Sequence, residues 1–229
     1  LKHIRHYSNI ARYLLARLFF IDGMVGVLTF GGVYASGTFG WGTTTLLIFG
    51  LCTSASAMLG AYFGGRLDDS LGSIRALQIA ISTSALVLLL LVSVQPDTIL
   101  YVIETGTEPV WDSPYFATLP ELFYFGTNQV FAVFFVTGLS ASRTLMAKIS
   151  PPELATQFFG LFALSATVTA FLAPLLVATA TDVFNSQRIG FASLASLMII
   201  GAVMLLKVKE EQATVVDINH DISANSTNR

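Results

Sequence analysis

An all-α integral membrane protein with six transmembrane helices is the fold class this sequence predicts. Its 229 residues carry 12 Lys plus Arg against 14 Asp plus Glu, a net charge of -2, and charged residues make up only 11%. A soluble domain carries about 25%. The apolar share is 54% and the mean hydropathy +0.70, and that hydrophobicity lies in long uncharged runs. A hydrocarbon core about 30 Å thick takes about 20 helical residues to cross, and six stretches reach that length. Period-two alternation is absent, which argues against a membrane barrel. Near-neutral charge without a clustered basic patch excludes nucleic acid as a partner.

The six spans fall at about 10–34, 44–63, 76–94, 122–146, 158–181 and 189–206. Residues 1–9 read as a linker. Residues 208–229 read as a polar tail too poor in apolar residues to offset the entropy of ordering, hence disordered. Asn225-Ser226-Thr227 matches a glycosylation acceptor, treated as a chance match because the tail is expected on the cytoplasmic side. Leu1 is not a start residue and no signal-peptide pattern follows it, so we expect a fragment of a longer protein. Orientation follows from the basic residues. One side holds Lys2, Arg5, Arg12, Arg17, Arg66, Arg75, Arg143, Lys148, Lys207, Lys209 and Arg229, the other only Arg188. Both ends should therefore be cytoplasmic, and the acidic loop 95–121 should face outward.

Within the first span, Asp22 sits about halfway along, where an ionisable group is costly unless it faces a cavity or a partner. It can bind a substrate amine or take up a proton; alternatively it pairs structurally with a basic residue of the missing half or accepts a hydrogen bond from backbone freed near Gly23. Arg12 and Arg17 read as anchors that snorkel toward the cytoplasmic interface. In the second span, Cys52 is a small apolar filler, and as the single cysteine it excludes an internal disulfide and a Cys-based zinc site. Gly60 and Gly64 form a small-residue packing face. The loop Gly65-Arg66-Leu67-Asp68-Asp69-Ser70-Leu71-Gly72-Ser73-Ile74-Arg75 is short, glycine-bounded and charged, suited either to a breakable latch or to a solvated turn. Arg143, near the inner end of the fourth span, could close an inner gate with Asp69 or with an acid of the missing half. Asn128 and Gln129 in the same span can contact a polar solute or join helices, and Phe131, Phe134 and Phe135 read as packing or lipid-facing surface. Pro174 should kink the fifth span, since it lacks an amide proton. His3, His6 and His220 all lie outside the spans, so no metal site and no cofactor is expected.

Gly65, Leu67, Asp69 and Gly72 resemble the Gly-x-Leu-x-Asp-basic-x-Gly loop of the major facilitator superfamily, in its weaker second copy, with Ser70 in place of the basic residue. The run from Ala11-Arg12-Tyr13 through Asp22-Gly23, then Phe30-Gly31-Gly32 to Gly40, resembles the seventh span of the vacuole-effluxer family. Ser140 to Ala147 and Phe158 to Ser165 resemble its tenth and eleventh spans, and Ser186-Gln187-Arg188 fits before the last. The resemblance covers nearly all of residues 10–207. Ala166-Thr167 stands where a Gly-Lys pair is common and Leu139 where a Gln is frequent, so no transport lysine carries over. What the resemblance implies is the C-terminal half of a twelve-helix major facilitator fold, with three plus three inverted repeats and a missing N-terminal half. Its fungal member exports amino acids; the short loops resemble bacterial relatives, which implies an inner membrane, with the vacuole as alternative.

The expected function is secondary transport of a small polar solute, an amino acid among the candidates, by alternating access with proton coupling. Asp22, Asn128 and Gln129 are the expected solute or proton contacts; Asp69, Arg143, Gly65 and Gly72 are the expected gate. An enzyme is disfavoured because His-Glu-x-x-His, Gly-x-Ser-x-Gly and the phosphate-cradling glycine loop are all missing. A non-transporting scaffold, or a six-helix protein acting as a dimer, is the alternative.

Overall fold

The computed structural model describes residues 7–211. Positions 1–6 of the expected linker and 212–229 of the tail, with His220 and the Asn225 motif, lie outside the described residues. The helices are α1 (Ser8–Phe39), α2 (Thr43–Leu71), α3 (Ser73–Val92), α4 (Leu119–Ile149), α5 (Ala155–Ser165), α6 (Leu172–Phe184) and α7 (Gln187–Leu205). A two-stranded antiparallel hairpin, β1 (Thr98–Ile99) with β2 (Ile103–Glu104), lies between α3 and α4. Five helices, α1 to α4 and α7, are long and apolar enough to cross a membrane, and α6 is a shorter apolar helix.

The expected fifth span, 158–181, is two helices. Between them, over residues 166–172, most of the hydrogen bonds tighten to the i−3 carbonyl: Ala166 to Ala163, Thr167 to Leu164, Ala170 to Thr167 and Leu172 to Thr169. Pro174 explains the position of the break. It stands in the first turn of α6, where a missing amide is tolerated, and it can offer no N–H to the Ala170 carbonyl. The helical ladder therefore fails on its N-terminal side, which is more than the kink expected at Pro174 itself.

The expected charged loop 65–75 is also mostly helix. α2 continues to Leu71 and α3 begins at Ser73, because the charged residues simply extend the helix beyond its apolar window. Gly72 alone makes the turn, at φ 84°, a backbone conformation that favours glycine. Its N–H donates to the Asp68 carbonyl at 2.9 Å. At the other side of the bundle α4 starts on a capping box: the Thr118 hydroxyl accepts from the Glu121 amide and the Glu121 carboxylate accepts from the Thr118 amide. The end of the expected linker and the start of the expected tail are likewise ordered. Ser8 opens α1, Val208 is buried, and Asn9 exchanges two hydrogen bonds with the Lys209 backbone, at 2.7 and 2.9 Å.

α1 and α3 are the most enclosed helices and share the core with α4 and α7 through Tyr13, Phe20, Met24, Leu77, Ile81, Leu88, Phe131, Phe191 and Met198. Lipid is as apolar as leucine, so close van der Waals fit, not water exclusion, holds such a bundle. The fit is close between α2 and α4. A Cβ at Gly64 would lie 2.8 Å from the Thr137 Cα, and Thr137 Oγ1 donates across to the Gly60 carbonyl at 3.2 Å. The outward sides of α2 and of the α5–α6 pair are left apolar and exposed, with Leu47, Leu51, Met58, Leu164, Phe171 and Leu175 among them.

Candidate functional site

Asp22 is the fifteenth residue of the 32-residue α1, close to the helix midpoint, and only 4% exposed. α1 carries it there without a break because no proline interrupts residues 8–39. It lines a cavity of about 250 Å³ together with Ile21, Val25, Gly26, Thr29 and Phe30 of α1 and Ala166, Ala170, Ala173 and Pro174 of the broken segment. The Thr169 hydroxyl lies against the carboxylate and within 3.3 Å of the Leu18 carbonyl. Oδ2 is buried and has no hydrogen-bond partner among the described residues.

Arg17, five residues earlier, is also buried, at 6% exposure. The snorkelling expected of it does not occur. Nη1 donates to the Phe162 carbonyl at 2.8 Å and to Ser165 Oγ at 2.6 Å, and the guanidinium covers the Phe162 ring at 3.6 Å. It thus sits at the C-terminal end of α5, where the helix dipole favours a cation. Among the described residues neither Arg17 nor Asp22 has an ion-pair partner. Arg12 remains exposed.

A second cavity, about 340 Å³, opens between α1, α2 and α4, and Asn128 and Thr53 line it. Thr29 lines both cavities. The Asn128 amide donates to Thr53 Oγ1 at 3.0 Å. Gln129 does not line either cavity; its side chain accepts from Ser56 at 3.0 Å and donates to the Phe125 carbonyl at 3.1 Å, joining α2 to α4. Thr29, Thr53 and Thr169 escape a reading of the sequence because lone hydroxyls occur throughout apolar helices, and nothing in their spacing distinguishes these three. Tyr13, bonded to Ser142 at 2.7 Å, is hidden for the same reason.

The expected gate is differently wired. Asp69 and Arg143 are both exposed, and no ion pair joins them among the described residues. The preceding residue takes the inward position: Asp68 is buried, accepts from Ser73 Oγ at 2.5 Å and lies 3.8 Å from Lys148 Nζ. One residue of helix turns a side chain by about 100°, which faces Asp68 toward α4 and Asp69 away from it. Lys148 also pairs with Glu210 at 2.8 Å, and Glu210 accepts from the Ile74 amide at 3.2 Å. Partial burial pushes the Glu210 carboxyl up, but the Lys148 and Ile74 hydrogen bonds outweigh it and hold it below the usual carboxylate range. A Cβ at Gly72 would lie 3.3 Å from a Glu210 carboxylate oxygen, whereas one at Gly65 would meet open space.

The family described as vacuole effluxer Atg22 like matches over residues 1–216. An uncharacterized MFS-type transporter, YxiO of Bacillus subtilis (strain 168), is 29% identical over 217 residues, which cover 94% of this chain and 45% of that protein. Autophagy-related protein 22 of Cryptococcus neoformans var. neoformans serotype D is 24% identical over 221 residues, covering 92% of this chain and 37% of that protein in strain B-3501A. The chain therefore spans less than half the length of these curated relatives. No solved structure matches it.

Proposed function

Because the chain belongs to the vacuole effluxer Atg22 like family, we propose that it is the C-terminal six-span half of a twelve-helix secondary transporter for a small polar solute. The α5–α6 pair counts as one broken span in this reading. The supporting observation is Asp22: a buried carboxylate at mid-helix, facing a cavity at a helix break. Ionisable residues within membrane spans mark solute or proton pathways, and discontinuous helices are a recurrent way to build transporter sites near the bilayer midplane.

Asp22 then meets the solute or a proton, Asn128 with Thr53 lines a neighbouring compartment, and Gln129 holds α2 against α4. An amino acid is the first solute to test, and export the first direction. Lys148, Asp68 and Glu210 close the cytoplasmic end of the bundle in the state described, while Asp69 and Arg143, exposed around the Gly65 to Gly72 segment, are available to the other half. A bacterial inner membrane, with both ends of this segment cytoplasmic, is the proposed location. The exposed apolar sides of α2 and α5–α6 would meet lipid and the other half; a second copy of the chain is the alternative occupant.

The test is transport by the full-length protein in liposomes, with labelled amino acids and an imposed pH gradient. Asp22→Asn should lower the rate at least tenfold with the protein still folded. A wild-type rate and wild-type pH profile in that variant would remove Asp22 from the mechanism.

A further inference from the structure

We propose that the α5–α6 break opposite Asp22 is a binding site for a monovalent cation, a sodium-sized metal ion or an ammonium group. The proposal deepens the transport reading and rests on it for its use, although binding itself can be measured without transport. Asp22 Oδ2 is buried and unpartnered, and an isolated buried carboxylate is stable only when a cation compensates it or a proton neutralises it. The nearby cation makes no ion pair with it among the described residues, because Arg17 turns its Nη1 to Phe162 and Ser165 instead.

The groups that remain around the cavity are oxygen donors. They are the Asp22 carboxylate, the Thr169 hydroxyl and the backbone of Ala166 and Ala170, where Pro174 leaves the Ala170 carbonyl without its amide. Irregular backbone at membrane depth persists where it lines a cavity, and half-helix carbonyls are suited to cations. An all-oxygen donor set selects a hard cation over a transition metal. A single negative charge suits one positive charge; divalent sites gather several carboxylates. Of the remaining walls, Ile21, Val25 and Phe30 are apolar, and Thr29 gives its hydroxyl proton to the Val25 carbonyl, so they offer little to an anion. About 250 Å³ leaves room for an organic ammonium as well as for an ion with water.

The test is the thermal unfolding midpoint of the full-length protein in detergent, with choline chloride replaced stepwise by sodium chloride, potassium chloride or methylammonium chloride at constant ionic strength. Sodium or methylammonium should raise the midpoint saturably by about 3 °C or more. Asp22→Asn should abolish the rise, and Thr169→Val should weaken half-saturation about tenfold, which keeps the test open if the first variant fails to fold. A response to sodium alone assigns a metal ion, and one to methylammonium alone assigns the amine of a solute. No cation distinguishable from choline in the wild type, or a full response in Asp22→Asn, overturns the site. Cation binding without transport in liposomes would overturn the transport reading and leave this one standing.

Discussion

Arg17 and Asp22 stand five residues apart on α1 and meet the two ends of the same broken segment. The guanidinium takes the last turn of α5, and the carboxylate faces the residues leading into α6. A lysine cannot cover the Phe162 ring and serve both acceptors with one compact ammonium. Arg17→Lys should therefore cost about 1.5–3 kcal/mol, the range for a hydrogen bond to a charged group. Thermal unfolding in detergent measures it, with the exposed Arg12→Ala expected within about 0.5 kcal/mol of wild type. Asp22 was legible in the sequence because a mid-span charge is conspicuous. Arg17 was not: five residues rotate a side chain by about 140° relative to Arg12, and which face points inward depends on where α5 ends. Glu210 gives the pH prediction. Its carboxyl is held below the ordinary range, so its contribution is present above that range and lost as pH falls through the lowered value. The midpoint difference between wild type and Glu210→Gln should be present at neutral pH and vanish in acid.

At the level of the helices, α2 and α4 approach at Gly60 and Gly64 closely enough that a methyl has no place. Gly64→Val should push the pair apart and cost about 1–3 kcal/mol by overpacking, read as a lower unfolding midpoint. Gly126→Ala, where a Cβ meets open space, should instead be neutral or stabilising by up to about 1 kcal/mol. Long apolar runs made the helices readable, but not their lengths. α2 runs eight residues past the expected end at 63 because a charged helix end that reaches beyond the apolar core remains helix. The fifth stretch misled differently. Hydropathy is continuous across 158–181, and only the backbone consequence of Pro174, felt four residues upstream, divides it.

Over the whole molecule, charge separates the two ends. Asp68, Lys148 and Glu210 gather at one, and the hairpin, Glu121 and Arg188 at the other, where Arg188 donates to the Val92 carbonyl at 2.9 Å. With Cys52 and every cysteine of the rest of the full-length protein replaced by Ser, an impermeant maleimide added to intact cells should label Glu104→Cys and spare Lys207→Cys. The reverse pattern would invert the proposed orientation. The basic residues alone suggested this polarity, yet the carboxylates that hold Lys148 required the fold. The chain has two tryptophans, and they occupy contrasting surroundings at the hairpin end. Trp41 is buried among Phe39, Phe49, Phe116 and Tyr124, its indole donating to Glu121 at 2.7 Å, while Trp111 is half exposed. Its ultraviolet emission is thus a built-in optical gauge: separation of the end of α1 from the start of α4 wets one indole, and the spectrum reddens without any added dye.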